Sequence, residues 1–254
     1  MLQIAFTVGL IYLFGWLIAI CNHKFYSNLG RSSRIVCYAT GFLGTPVHEL
    51  AHALFCVVFG HKIVEIKLFQ MDAADGTLGY VSHSYNPKNI YHKIGNFFIG
   101  VAPILVISAL LYLFAYLLLP QFVAELSIFI RSGESSGSDQ LLSGFFNIVG
   151  TFFSLAATWQ WWVFLFVGAV FSLHMTLSNA DRKGAWSGLI FVLLVFFITD
   201  IVLGIVSSKA LDAFTSAVIA VGCWLLCSFV LALAISLIAV LASYVFRCIK
   251  RRRM

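Results

Sequence analysis

The sequence predicts an all-α polytopic membrane protein of about six transmembrane helices, with a small membrane-associated β-hairpin after the second span. Three observations carry that expectation. Hydrophobic residues make up 61% of the 254-residue chain and charged residues 10%, and the mean hydropathy is +0.97, values far from those of soluble folds. Apolar runs of membrane length recur from end to end. Between the second and third runs the pattern changes from continuous to alternating, as a strand requires.

The spans fall at about residues 2–20, 35–60, 97–119, 161–177, 186–206 and 217–245. The first has no positive n-region and no small-x-small cleavage site, so it reads as a span and not a signal peptide. A basic cluster, Arg247, Lys250, Arg251, Arg252 and Arg253, follows the last span. It predicts a cytoplasmic C-terminus in a bacterial-type cytoplasmic membrane. Six crossings then place the N-terminus inside too, with residues 62–96 and 181–185 cytoplasmic. Lys24, Arg31 and Arg34 run against this, because they make an external loop basic. A seventh crossing near 141–157 would bring that loop inside. That stretch is short and rich in Gly and Ser, and a re-entrant or interfacial segment is the preferred reading. The low-complexity stretch at residues 131–140 reads as a solvated loop. The six cysteines lie mostly within or beside spans and read as small apolar residues, not a disulfide framework. The net charge of +6 is concentrated at the tail; the lipid bilayer is the expected partner, and no nucleic acid is.

Within the second span stands His48-Glu49-Leu50-Ala51-His52. An acidic or basic residue at the centre of a span costs roughly 2.5–3.5 kcal/mol, so the chain must compensate for these three together. A bound cation in a water-filled cavity does so. On a helix, positions i and i+4 share a face, so both imidazoles can bind one Zn²⁺ while Glu49 acts as base toward a water. Pro46, after Thr45, either starts this helix or kinks it and opens a route for water.

Beyond Gly60, Val64, Ile66 and Leu68 alternate with Glu65 and Lys67, Asp75-Gly76 offers a turn, and residues 79–83 can return as a partner strand. Such a hairpin is either a surface decoration or an edge that holds an extended substrate by strand addition. The fourth span closes on a second polar group. His174, Ser178 and Asp181 fall at i, i+4 and i+7, one stripe if the helix persists. A zinc site with an open position needs a third protein ligand, His or carboxylate, and this stripe supplies both.

The chain resembles the site-2 protease family of intramembrane zinc metalloproteases over residues 35–188. His48-Glu49-Leu50-Ala51-His52-Ala53-Leu54 matches that family's first motif. Residues 60–68 are similar to the strand that follows it, and Gly100-Val101-Ala102-Pro103 to its small-residue-plus-proline segment. Asn179-Ala180-Asp181 stands where the family's Asn-Pro…Leu-Asp-Gly motif carries a ligand aspartate. The sequence departs from that pattern in having no proline near Asp181 and no glycine directly after it. No segment has the length of the PDZ or CBS domain that some members carry. The resemblance therefore implies a divergent, minimal member: one unit, 1–254, with its metalloprotease-like core at 35–188, additional spans at 186–245 and a basic tail at 247–254.

The resemblance implies Asp181 as third ligand. Depth favours His174, since His52 lies about 12 Å along the helix from Gly60 at 1.5 Å per residue, and Asp181 stands at the membrane boundary unless the chain breaks before Gly184. His174 is the alternative ligand or an oxyanion donor; Ser178 and Asn179 are expected to orient a ligand or stabilise the oxyanion. The expected function is zinc-dependent hydrolysis of a peptide bond in a membrane-embedded or membrane-associated protein or peptide, with Glu49 as catalytic base. A non-catalytic zinc-binding scaffold or a transport component is the alternative.

Overall fold

The computed structural model describes residues 2–71, 76–132 and 138–252, with side chains for 7–71, 76–129 and 143–250. Asp75 of the expected turn, Arg253 and residues 133–137 of the Ser/Gly-rich stretch lie outside the described residues. The elements run α1 (Leu2–Leu29), a 3-10 turn (Gly30–Ser32), α2 (Ser33–Val58), β1 (Lys62–Lys67), β2 (Tyr80–Ser84), α3 (Ile90–Leu118), α4 (Pro120–Ser132), α5 (Ser138–Ser154), α6 (Trp159–Leu173), α7 (Asn179–Val206) and α8 (Ser208–Arg252). Among the described residues, four helical runs are long and apolar enough to cross a membrane: Thr7–Val58, Ile90–Leu118, Asn179–Val206 and Ser208–Lys250. A fifth is reached if Ser143–Ala157 and Trp159–Leu173, bent by 111° at their junction, form one broken span or re-entrant pair.

The six expected spans thus reduce to four or five, and two of the differences have physical reasons. The first two belong to the single run Thr7–Val58, interrupted where Gly30 takes a left-handed φ of 55° that only glycine adopts freely. Across this bend the Tyr26 and Thr40 hydroxyls lie 3.5 Å apart. The fourth is only the 15-residue α6. At its end the last carbonyls are capped by a distant side chain: Asn22 Nδ2 donates to Ser172 O and Leu173 O at 3.1 and 3.0 Å.

α3 forms the centre of the bundle. Its Val101, Ala102, Ile104, Ile107 and Leu111 are fully buried, together with Phe164 of α6 and Phe229 of α8. α1 lies along α8, where Asn28 Nδ2 donates to Ser243 Oγ at 3.0 Å and Arg247 donates to Asn28 Oδ1 at 3.2 Å. The outer faces are apolar and exposed, as on α7 at Ile198, Ile201, Val202 and Ile205, which suits contact with hydrocarbon and marks a multi-pass membrane protein.

The expected hairpin is present. β1 and β2 pair antiparallel with Ile63 opposite His83, Ile66 opposite Val81 and Lys67 opposite Tyr80, and an irregularity between Ile63 and Glu65. Gly76 has φ of 76° at the turn. The hairpin is fastened to α2: Tyr38 OH donates to Met71 O, and Gly79 lies so close that a Cβ there would stand 2.7 Å from Thr45 Cγ2 and 2.9 Å from Glu49 Cγ.

Candidate metal centre

α2 carries the motif on a two-faced helix. Glu49, His52 and Cys56 are buried, whereas Leu50, Leu54 and Val57 are exposed. Pro46 lies inside α2, not at its start. Having no N–H, it leaves the carbonyl of Phe42 without its i+4 donor one turn before the motif.

Each motif histidine is held by a main-chain carbonyl from another element. His48 Nδ1 lies 2.7 Å from His174 O and His52 Nδ1 lies 2.8 Å from Ile99 O. A carbonyl only accepts, so both Nδ1 atoms carry hydrogen and both Nε2 atoms present lone pairs. These two Nε2 atoms face each other at 3.2 Å. Asp181 joins them, with Oδ1 3.2 Å from His52 Nε2 and Oδ2 3.8 Å from His48 Nε2. Lone pairs and a carboxylate converging in this way require positive charge between them. Ligand atoms on a tetrahedral Zn²⁺ with bonds of about 2.0–2.1 Å lie about 3.3 Å apart, so the donor set and its spacing fit that ion. Among the described residues, His48, His52 and Asp181 are the group of three that could hold a metal.

Asp181 reaches the site because the chain breaks before Gly184, the alternative to a continuous stripe. Residues 175–178 are non-helical, so His174, Ser178 and Asp181 do not form one helical face. α7 starts afresh with Ser178 as N-cap: Ser178 Oγ accepts from Asp181 N at 3.1 Å, and Asp181 Oδ2 accepts from Ser178 N at 2.7 Å. This capping box orients the carboxylate and leaves Oδ1 for His52. The first turn of α7 is pressed onto α3 at Gly100, where a Cβ would stand 2.5 Å from Asp181 O and 2.6 Å from Ala185 N. Replacing Gly100 with valine is expected to push α7 away and weaken zinc binding by about tenfold or more, comparable to loss of an orienting partner. A chelator-competition titration reads this directly, and unchanged affinity would contradict it.

His174 is placed differently. Its carbonyl receives His48, and its ring lies between Thr40 Oγ1 (3.2 Å from Nε2) and Thr45 Oγ1 (3.5 Å from Nδ1). Asn179 Oδ1 accepts from Arg182 Nη2. A cavity of about 540 Å³ is lined by His48, Glu49, His52, Ser178, Asn179 and Asp181, and by Thr77, Gly79, Tyr80, Val81 and His83 of the hairpin segment. A smaller hollow of about 140 Å³ reaches Glu49 and His48 past Thr45, Leu78 and His174.

The sequence places His83 on the return strand and singles out no role for His61. They meet, Nδ1 to Nδ1, at 3.0 Å. The available signal was the period-2 set Gly79, Val81, His83, which puts a histidine on the strand face shared with cavity residues. Burial lowers the pKa of both; at His61 the hydrogen bond to the His92 carbonyl partly opposes this, and at His83 the charges of His61 and His52 add to it. A histidine depressed on folding adds stability that is complete above its ordinary pKa of about 6.5 and is lost as pH falls below it. Amide exchange of β2 is therefore expected to accelerate between pH 7.5 and 5.5; pH-independent protection, after correction for the intrinsic rate, would contradict it.

Residues 41–147, under half of the chain, match the family model DUF3267, described as "Putative zincin peptidase". The match supports a zinc metallopeptidase kind. It includes His48, Glu49, His52, the hairpin and α3, and ends before His174 and Asp181. No curated protein and no solved structure matches the chain.

Proposed function

We propose that the protein is an intramembrane zinc metalloendopeptidase of the HExxH type, hydrolysing a peptide bond of a membrane-embedded or membrane-associated protein or peptide. One observation carries this reading. Two tautomer-fixed imidazoles, a carboxylate and a buried Glu49 meet in one cavity of an apolar helical bundle, beside an extended strand.

His48, His52 and Asp181 would hold the ion. When bound, Zn²⁺ supplies Lewis acidity, making water a nucleophile near neutral pH and polarising the scissile carbonyl. Glu49, adjacent to His48 and 6% exposed, takes a proton from the attacking water and returns it to the leaving amine. The carbonyls of His174 and Ile99 hold the two rings in register, and Ser178 holds Asp181. Asn179, at the cavity wall, is available to a substrate carbonyl or the developing oxyanion.

A peptide bond in a transmembrane helix is shielded by its own hydrogen bonds, so the enzyme must replace them once the helix unwinds. β2 pairs with β1 along one edge and contributes Tyr80, Val81 and His83 to the cavity, which suits it to receive an unwound segment as an added strand. The basic tail supports a cytoplasmic C-terminus. The test is cleavage of a transmembrane-helix peptide by the purified protein in liposomes. Activity should vanish with a chelator and return with zinc; cleavage indifferent to chelation would refute the proposal.

A further inference from the structure

His61 follows α2 and His83 stands on β2, and neither belongs to the three-donor cluster. His61 Nε2 lies 2.9 Å from His92 O, so that nitrogen carries the hydrogen. A neutral His61 then presents a lone pair at Nδ1. His83 Nδ1, 3.0 Å away, must meet it with an N–H. The run of donors is thereby fixed: His83 donates to His61, and His61 donates to the carbonyl of His92. The His61 ring is 5% exposed and stacks on Tyr85 at 5.0 Å between centroids and 15° between planes. Burial opposes an extra proton on either ring.

With Nδ1 committed, His83 has one polar atom left, Nε2, and in this tautomer it can only accept. Among the described residues nothing hydrogen-bonds to it, and the residue lines the same cavity as Glu49, His52 and Asp181. Unlike a main-chain carbonyl of β2, this acceptor lies on the side-chain face of the strand. We propose that His83 is a substrate-binding residue whose Nε2 accepts a hydrogen bond from a main-chain N–H of the peptide beside the scissile bond, and that His61 is the positioning residue that locks its tautomer. This rests on the zinc-peptidase reading above and assigns one of its subsites.

The test uses zinc-loaded full-length Glu49→Gln protein in detergent, and as probes a tripeptide hydroxamate and its analogues N-methylated at one amide at a time. In the otherwise native protein, methylating one particular amide should weaken binding by about 3- to 10-fold, the worth of one hydrogen bond. His83→Ala should bind the parent compound weakly by the same factor and lose nothing further on that methylation. Histidine ring ¹⁵N spectra should show His83 protonated at Nδ1 alone. That state should persist in His61→Gln, whose amide can donate to His92 O and accept from His83, and give way to a mixture in His61→Phe, with matching loss of affinity. Metal-dependent hydroxamate binding with no methylation effect that His83→Ala abolishes, or a native His83 protonated at Nε2, would overturn the assignment while sparing the metal centre. Failure of any hydroxamate to bind in a zinc-dependent way would overturn both.

Discussion

Glu49→Gln is expected to retain zinc and lose peptide cleavage by about 10²–10⁴-fold, the span attributable to a positioned general acid–base group. The glutamine has nearly the same shape, which matters because Glu49 is buried and its Cγ lies against the Gly79 backbone. Packing of the hairpin on α2 therefore survives. None of the three donors is altered, and His48 and His52 keep their carbonyl partners on His174 and Ile99. What disappears is a carboxylate able to take a proton and give it back. Zinc content and cleavage rate, measured on one preparation, separate these effects. Undiminished cleavage would remove Glu49 from the mechanism.

The second large effect concerns the third donor. Asp181→Ala is expected to lower zinc affinity by more than about 100-fold, beyond the range seen when only an orienting partner of a ligand is lost. His174→Ala is expected to bind zinc within a few-fold of wild type, because the contact from His174 to His48 is made by its main-chain carbonyl, which alanine keeps. Alanine at 181 also removes the acceptor for Ser178 N and half of the capping box, at a cost of about 1 kcal/mol. Asp181→Asn separates the two causes: its side-chain oxygen can still cap α7, but the negative charge facing His52 is gone. Zinc affinity should fall in both variants, and helix stability mainly in the first. Zinc lost from His174→Ala and kept in Asp181→Ala would reverse the assignment.

The distinction between these residues also shows what the amino-acid pattern conveys. The motif on α2 was readable because an i, i+4 pair shares a helix face whatever surrounds it, and the hairpin because Val64, Ile66 and Leu68 alternate before a Gly-containing turn. The break after Leu173 is one of two courses the pattern leaves open. Residues 174–183 contain no Gly or Pro, so the pattern allows either a helix continuing to Asp181 or a break before Gly184 and does not choose between them. The end is satisfied by Asn22, 150 positions earlier, which donates to two terminal carbonyls, and by His48 at the next. Those contacts are tertiary. So is the pairing of His61 with His83 across the bulged hairpin, which no local spacing announces. Conversely, the close approach of α7 to α3 left a trace in Gly100 and Gly188, small residues whose Cβ positions would clash with the opposing backbone, as interhelical contacts in membranes favour. In the sequence Gly100 stands out by its likeness to a family segment; the contact that explains it is seen only in the fold.

Zinc analysis combined with X-ray absorption on the purified wild-type protein tests the central claim most directly. One zinc per chain is predicted, with only nitrogen and oxygen neighbours at about 2.0–2.1 Å and the outer-shell scattering of two imidazoles. A protein that is folded yet takes up no zinc when supplied with it, or a metal with sulfur neighbours at about 2.3 Å, would contradict a site built from His48, His52 and Asp181.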